Sequence, residues 1–303
     1  ATCRQGCHAR HGMECCAGII GSMVLRILQY TLCLVSVLPS FCVAFSAPGA
    51  AVSRIHGLRR AFNLRAMNAS PDDEPARAIR ILALHGKGNT GPSFQKTLEP
   101  LIAALNDRVS SDDICFDWDF PTAPYSLGEA ESAGRAWWQL PSGERSFTAT
   151  TYIGYNKSSS LIENKICSED FDLVFGHSQG AILLAALLAT DRLVSQKPAA
   201  FIFNGAAVPN PYKDELVNAQ LSPEVIKESE ALFVVGRNDQ INPPEGAELV
   251  RDCLDKGGMR VKTISHPNGH SVPVRDQKAL NSVVDWIIDT VVSKRAKVEE
   301  TRM

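Results

Sequence analysis

Cysteine is scarce beyond Cys42: of nine in the chain, only Cys115, Cys167 and Cys253 lie further on. Three scattered thiols do not make the disulfide framework of a small secreted domain, so the folded part is expected to work in a reducing compartment. The early Cys3, Cys7, Cys15 and Cys16 lack the paired C-x2-C spacing of a structural zinc site, and no metal is expected. Excess charge is missing as well. A formal net charge of −2 over 303 residues gives no electrostatic case for nucleic acid or an anionic membrane surface as a partner. Repeats and low-complexity tracts are absent from 76–293, so no array architecture is expected there.

One stretch lacks acid altogether. Between Phe45 and Pro71 there is no Asp or Glu, whereas Arg54, Arg59, Arg60 and Arg65 fall among Ser and Ala. That is the composition of an organelle transit peptide. Ahead of it, Arg26 supplies a short positive region, 27–44 is almost wholly apolar, and Cys42-Val43-Ala44 sets small residues where a signal peptidase cuts. The apolar run is short, Pro39 interrupts it, and no charged stop-transfer cluster follows, which argues against a transmembrane helix. The expectation is a signal peptide over 1–44, with Met23 as the start and 1–22 a gene-model extension, then a transit peptide and linker over 45–75. No stable membrane anchor is expected in the mature form. With Ala44-Phe45-Ser46-Ala47-Pro48 at the junction, this leader resembles the bipartite plastid leaders of algae with secondary red plastids, which carry an aromatic residue after the signal cleavage site. The resemblance implies a plastid destination through the secretory route. Secretion or a cytoplasmic location is the alternative.

Past the polar linker Pro71–Pro75, one domain is expected over 76–293, followed by a charged tail over 294–303. Apolar runs at 78–84, 114–116, 171–175, 199–204, 232–235 and 260–265 read as strands. Helical patterns at about 94–105, 180–189, 246–255 and 277–292 alternate with them. Pro100 is expected to kink or restart the first helix. Such alternation predicts an α/β fold: a mostly parallel sheet of about six strands with helices on both faces.

The chain is organised around Gly176-His177-Ser178-Gln179-Gly180, between a Val/Phe-rich strand and an Ala/Leu-rich helix. G-x-S-x-G in that context is a nucleophile elbow, a turn so tight that a side chain at either glycine would collide with its neighbours. A serine hydroxyl is a poor nucleophile at neutral pH and needs a base. An α/β-hydrolase supplies acid and base in the order Ser, acid, His from loops after later strands. Asp239 follows the strand at 232–235, and His270 follows the one at 260–265. His85 and His266 are the rival bases. His85 comes before Ser178 in the chain, and Pro267 restrains His266, whereas His270 follows the flexible Gly269. His177, beside the nucleophile, is expected to point elsewhere.

The ordered set Leu84-His85-Gly86, Arg135-Ala136-Trp137-Trp138, Phe171-Asp172, Gly176-His177-Ser178-Gln179-Gly180-Ala181, Val235-Gly236 to Asp239 and Gly269-His270-Ser271-Val272-Pro273 resembles the FSH group of serine hydrolases. The resemblance covers nearly all of 78–290. It implies a small α/β-hydrolase acting as a carboxylesterase or thioesterase, the activities of a group that includes enzymes releasing polyketide chains. It also implies an oxyanion hole from the backbone N–H groups of Lys87 and Gln179. His177 departs from the group, whose members often carry Phe there. The connection 117–168 is rich in aromatics: Trp118, Phe120, Tyr125, Trp137, Trp138, Phe147, Tyr152 and Tyr155. They read either as an acyl pocket, with Tyr125, Trp137 and Trp138 touching substrate, or as a satellite core. The activity read from the sequence is hydrolysis of a small-molecule acyl ester or thioester through acyl-Ser178, with no cofactor. The alternatives are an acyltransferase using the same acyl-enzyme and a non-catalytic ligand-binding hydrolase fold.

Overall fold

The computed structural model describes residues 77–109, 114–130, 133–193, 198–219, 221 and 229–294. The leader readings over 1–44 and 45–75, and all but the first residue of the tail 294–303, lie outside the described residues.

Strands β1 (Arg77–Leu84), β2 (Ile114–Asp119), β5 (Leu173–His177), β6 (Ala200–Asn204), β7 (Glu230–Gly236) and β8 (Arg260–His266) form one six-stranded sheet in the order β2-β1-β5-β6-β7-β8. Every neighbouring pair in it is parallel. The central strands β5 and β6 are buried throughout, which is why they read as unbroken apolar runs. The short β3 (Tyr125–Ser126) and β4 (Arg135–Ala136) pair antiparallel in a separate ribbon.

Alternation along β1 sends Ile79, Ile81 and Ala83 into one core and Leu82 and Leu84 into the other. The first core is closed by α1 (Gly91–Arg108) and α6 (Gln277–Ile287), which continues as a π turn over Ile288–Val292. The second is closed by α2 (Tyr155–Ser168), α3 (Gln179–Ala189) and α5 (Pro244–Lys256), with the short α4 (Lys213–Val217) beside them. Every residue of α3 is buried, so it has no polar face at all.

Pro100 does not end the first helix. α1 runs unbroken from Gly91 to Arg108, started by a capping box in which Ser93 N–H donates to Thr90 Oγ1 and Thr90 N–H donates to Ser93 Oγ. Pro100 is exposed, and so is Lys96, whose carbonyl loses its helical partner. Water can serve that carbonyl, which makes the missing N–H tolerable.

Chain order places the functional crevice. From β1 the chain moves outward to β2, then returns to β5 on the other side of β1 and continues through β6, β7 and β8. Connections therefore leave the carboxyl ends of β1 and β5 in opposite directions, and ligands of open α/β sheets bind at such a switch point.

Candidate active site

Ser178 sits at that point, between β5 and α3, with φ 51° and ψ −117°. A non-glycine residue in this left-handed region is strained, and the surroundings explain how it is held. A Cβ at Gly176 would lie 2.7 Å from Ala181 Cα, and one at Gly180 would lie 2.4 Å from the Leu84 carbonyl oxygen. Both contacts are with backbone, so only glycine permits the turn. The strain lifts the Ser178 side chain off the sheet at the first turn of α3.

Asp239 lies in the turn after β7 and is buried. Its Oδ1 accepts the N–H groups of Ile241 and Asn242, each at 2.9 Å, which fixes the carboxylate plane. Its Oδ2 is 2.6 Å from His270 Nδ1. A carboxylate only accepts, so the imidazole proton is on Nδ1 and Nε2 is left to accept from Ser178 Oγ, 2.7 Å away. Ser178 and His270 are half-buried, open to a ligand, whereas Asp239 is shielded. Gly205 packs beneath the pair: a Cβ there would stand 3.1 Å from His270 Nδ1, and its carbonyl accepts from Asn242 Nδ2 at 2.7 Å.

The loop after β1 passes against the serine. A Cβ at Gly86 would be 3.0 Å from Ser178 Cβ. Lys87, the next residue, is exposed, and Gln179 opens α3. Among the described residues, neither backbone N–H donates to a protein acceptor. The Gln179 side chain is committed elsewhere. Its Oε1 accepts the Trp137 N–H at 2.8 Å and its Nε2 donates to the Trp138 carbonyl at 3.1 Å. That clamp on a segment some forty residues earlier has no counterpart in the motif's spacing.

Trp137 and Trp138 lie in the core rather than against a ligand. Both indoles are fully buried, in the same cluster. Trp137 Nε1–H donates to the His85 carbonyl at 2.8 Å, and Trp138 stacks on Tyr152 at 4.3 Å. They follow β4 in a bend, and without regular alternation neighbouring side chains can both turn inward. Tyr125 is partly exposed on β3; its hydroxyl donates to the Gly154 carbonyl at 2.9 Å and its ring faces Lys157 Nζ at 5.8 Å. It serves as a strut to the segment entering α2.

His266, the last residue of β8, is buried, and neither ring nitrogen has a hydrogen-bond partner among the described residues. Burial lowers its pKa. His177 is also buried. It stacks on Phe94 at 5.8 Å, lies 5.2 Å from the His270 ring, and accepts from Asn204 Nδ2 through Nδ1 at 2.8 Å. Burial first, then repulsion from a charged His270, pushes its pKa down to about 3.

A stability consequence follows. Below the ordinary histidine value of about 6.5, the unfolded chain binds a proton at position 177 that the folded chain does not, so this residue's contribution is lost as pH falls. The slope is about 1.4 kcal/mol per pH unit, down to about pH 3. His85 and His266, lowered by burial, act in the same direction. His177→Phe keeps the stack on Phe94 and leaves Asn204 the Ser271 carbonyl at 3.4 Å. The variant's Tm should therefore fall less steeply than the parent's between about pH 6.5 and pH 5. Parallel curves would contradict the neutral, buried assignment.

A parallel sheet in this order, with a strained serine elbow at its switch point, is the α/β-hydrolase fold. Within it, the chain belongs to the family described as serine hydrolase (FSH1), whose profile matches residues 75–281. It is a serine hydrolase. An esterase of Aedes aegypti is 25% identical over 214 residues, covering 68% of this chain and 74% of that protein. Among solved structures, Arabidopsis thaliana SOBER1 matches with a TM-score of 0.51 at 21% identity, over 70% of this chain and 99% of its own. Zea mays acyl-protein thioesterase 2 matches with a TM-score of 0.51 at 21% identity, over 74% and 97%. At that identity both likenesses concern the fold alone. No helix among the described residues is long and apolar enough to cross a membrane.

Proposed function

We propose that this serine hydrolase cleaves carboxylic esters or thioesters of short-to-medium acyl groups through an acyl-Ser178 intermediate. The observation that carries the reading is the unbroken path from Ser178 Oγ to His270 Nε2 (2.7 Å) and from His270 Nδ1 to Asp239 Oδ2 (2.6 Å). In the reaction, Ser178 Oγ attacks the acyl carbon while His270 Nε2 takes its proton, and Asp239 stabilises the imidazolium. The carbonyl oxygen gains charge and is received by the N–H groups of Lys87 and Gln179, the second reinforced by the N-terminus of α3. Collapse expels the alcohol or thiol with the proton from His270, and water then repeats the sequence on the acyl-enzyme. The steps call on no metal or organic cofactor.

With both tryptophans in the core, the acyl chain is assigned to a cavity of about 260 Å³ lined by Phe147, Ala207, Val208 and Pro243 among others. Ala207 lies two residues after Gly205, on which His270 packs, and Pro243 follows Asn242, which is bonded to Gly205. Its polar margin holds Asn210, Lys213 and Glu245. Each buried CH2 contributes about 0.8 kcal/mol, so two added carbons should raise kcat/KM roughly tenfold until the cavity is full. Assay of p-nitrophenyl esters and acyl-CoAs is expected to show activity climbing from acetyl towards butyryl–octanoyl and falling beyond. A flat profile to palmitate would remove the cavity from the account, and a preference for peptide amides would remove the esterase reading.

The leader motivates a plastid location. Residues 23–75 fused to a fluorescent protein should enter the plastid of an alga with a secondary red plastid, and Phe45→Ala should divert the fusion. Secretion of the unmutated fusion would contradict this.

A further inference from the structure

Asp239 is held by two peptide groups, and one side chain holds both of those peptides in turn. Its Oδ1 accepts from the N–H of Ile241 and the N–H of Asn242, each at 2.9 Å. A peptide is planar, so its carbonyl and N–H point in opposite directions and turn together. The carbonyls that belong to those two peptides are those of Gln240 and Ile241. Both accept from a single atom, Arg145 Nη1, at 3.2 Å and 3.3 Å. One guanidinium nitrogen therefore sits behind both of the peptides that aim at the carboxylate.

The loop needs an anchor there. Residues 237–243 form neither helix nor strand, and Gln240 and Ile241 are exposed. Asn242 Nδ2 donates to the Gly205 carbonyl at 2.7 Å, which fixes the inner end of the loop and leaves the outer end to Arg145. Arg145 itself acts from a fixed root. Its carbonyl accepts the N–H groups of Thr148 at 3.0 Å and Ala149 at 2.8 Å, and its own N–H donates to Thr148 Oγ1 at 3.2 Å. Asn210 Nδ2 braces the same turn by donating to the carbonyls of Thr148 at 3.2 Å and Ala149 at 3.1 Å. The Tyr152 hydroxyl donates to the Ser146 carbonyl. Among the described residues Arg145 has no carboxylate partner, so no acid competes with the two carbonyls for its side chain.

We propose that Arg145 is a positioning residue of the reaction: it holds the Gln240–Ile241 and Ile241–Asn242 peptides so that their N–H groups fix Asp239 Oδ1 and leave Oδ2 to His270. This rests on the reading of Ser178, His270 and Asp239 given above. Arg145 touches neither substrate nor the reacting atoms. The same turn carries Phe147 to the wall of the acyl cavity, so the rival role is that Arg145 only steadies that wall. The two roles differ in their kinetics. Holding Asp239 acts on proton transfer whatever the acyl chain, whereas steadying the wall acts on binding of chains long enough to reach it.

Arg145→Met in the full chain keeps most of the apolar stem and removes the donors. Its kcat for p-nitrophenyl acetate should fall about tenfold with KM little changed, and kcat for the octanoate should fall by the same factor. The loss is modest because the guanidinium is exposed and water can serve the vacated carbonyls. Arg145→Lys keeps a charged donor and should stay within about threefold of the parent. A double-mutant cycle is the sharper test. In an Asp239→Ala background there is no Oδ1 to position, so adding Arg145→Met should lower kcat by no more than about twofold. A loss confined to the octanoate and seen in KM, or a full tenfold loss in the Asp239→Ala background, would overturn the assignment. So would a Lys variant as slow as the Met variant, or a folded Arg145→Met protein with parental kcat. If Arg145→Met fails to fold, the 15N spectrum of the unmutated protein decides. Rotation about the Arg145 Cζ–Nη1 bond should be restricted by the two carbonyls, and a freely rotating guanidinium would overturn the proposal. Asp239→Asn separates the two layers. Near-parental activity in that variant fails the underlying reading, whereas an inactive Asp239→Asn with indifferent Arg145 variants fails only this inference.

Discussion

Ser178→Ala is expected to lower kcat on the order of 10⁶-fold, as removal of a triad serine does elsewhere, and to leave the protein folded. The size follows from what is removed. The side-chain hydroxyl has one partner, His270 Nε2 at 2.7 Å, and is the only group at the elbow able to form the acyl-enzyme. The folded state keeps nearly everything else. Alanine retains the Cβ that packs near Gly86, and the left-handed backbone at φ 51° is no more strained with one oxygen fewer. A Tm within about 2 °C of the parent is expected, as for the loss of one half-exposed hydrogen bond. Folded Ser178→Ala protein with more than about a hundredth of the parent kcat would mean that acyl-Ser178 is not the route.

Asp239→Asn should lower kcat by about 10⁴-fold, through the tautomer of His270 rather than through loss of fold. The two carboxylate oxygens of Asp239 are not equivalent. Oδ1 accepts two backbone N–H groups at 2.9 Å, and an amide N–H2 cannot take that place without setting donor against donor. The amide oxygen must therefore occupy the Oδ1 position, leaving the N–H2 to face His270 Nδ1. That nitrogen becomes the acceptor, the proton moves to Nε2, and the ring donates to Ser178 instead of taking its proton. Asp239→Ala leaves an empty space and no opposed donor, so its loss should be no greater. Stopped-flow or steady-state kcat for the two variants checks this, and near-parental activity in Asp239→Asn would contradict the role of Asp239. His270→Ala should be as inactive as the serine variant, whereas His266→Ala should retain its activity.

The parts that could be read from the sequence are those written in local pattern. The six strands fell within a few residues of their final bounds because β1, β5, β6 and β7 are buried on both faces and read as apolar runs. The pattern for β2 stops at 116, short of its observed end at Asp119, because Asp117 and Asp119 interrupt it. In the structure they are served across space: Asp117 lies 3.6 Å from Arg80, and Asp119 lies 2.6 Å from Lys165. Helix α2 left little trace, since its buried face is Tyr155, Ser158, Ser159, Ile162 and Ile166, with two serines in the stripe. Ser158 Oγ earns its burial by donating to the Trp137 carbonyl, a partner no periodicity reveals. The order of Ser178, Asp239 and His270 along the chain placed each after a strand. Their junction follows because parallel neighbours deliver those strand ends to one edge. What stayed hidden is long-range: the Gln179 side chain bridging Trp137 and Trp138, His85 bonded to Ala123, and the bend that turns both indoles inward.

Mass-spectrometric mapping of a fluorophosphonate adduct tests the central claim most directly. The probe phosphonylates a serine only where a base activates it, and its P=O oxygen mimics the developing oxyanion. One adduct is expected, on Ser178, absent from Ser178→Ala and strongly slowed in His270→Ala. An adduct on another residue, or an unmutated, folded protein that stays unlabelled, would contradict the account.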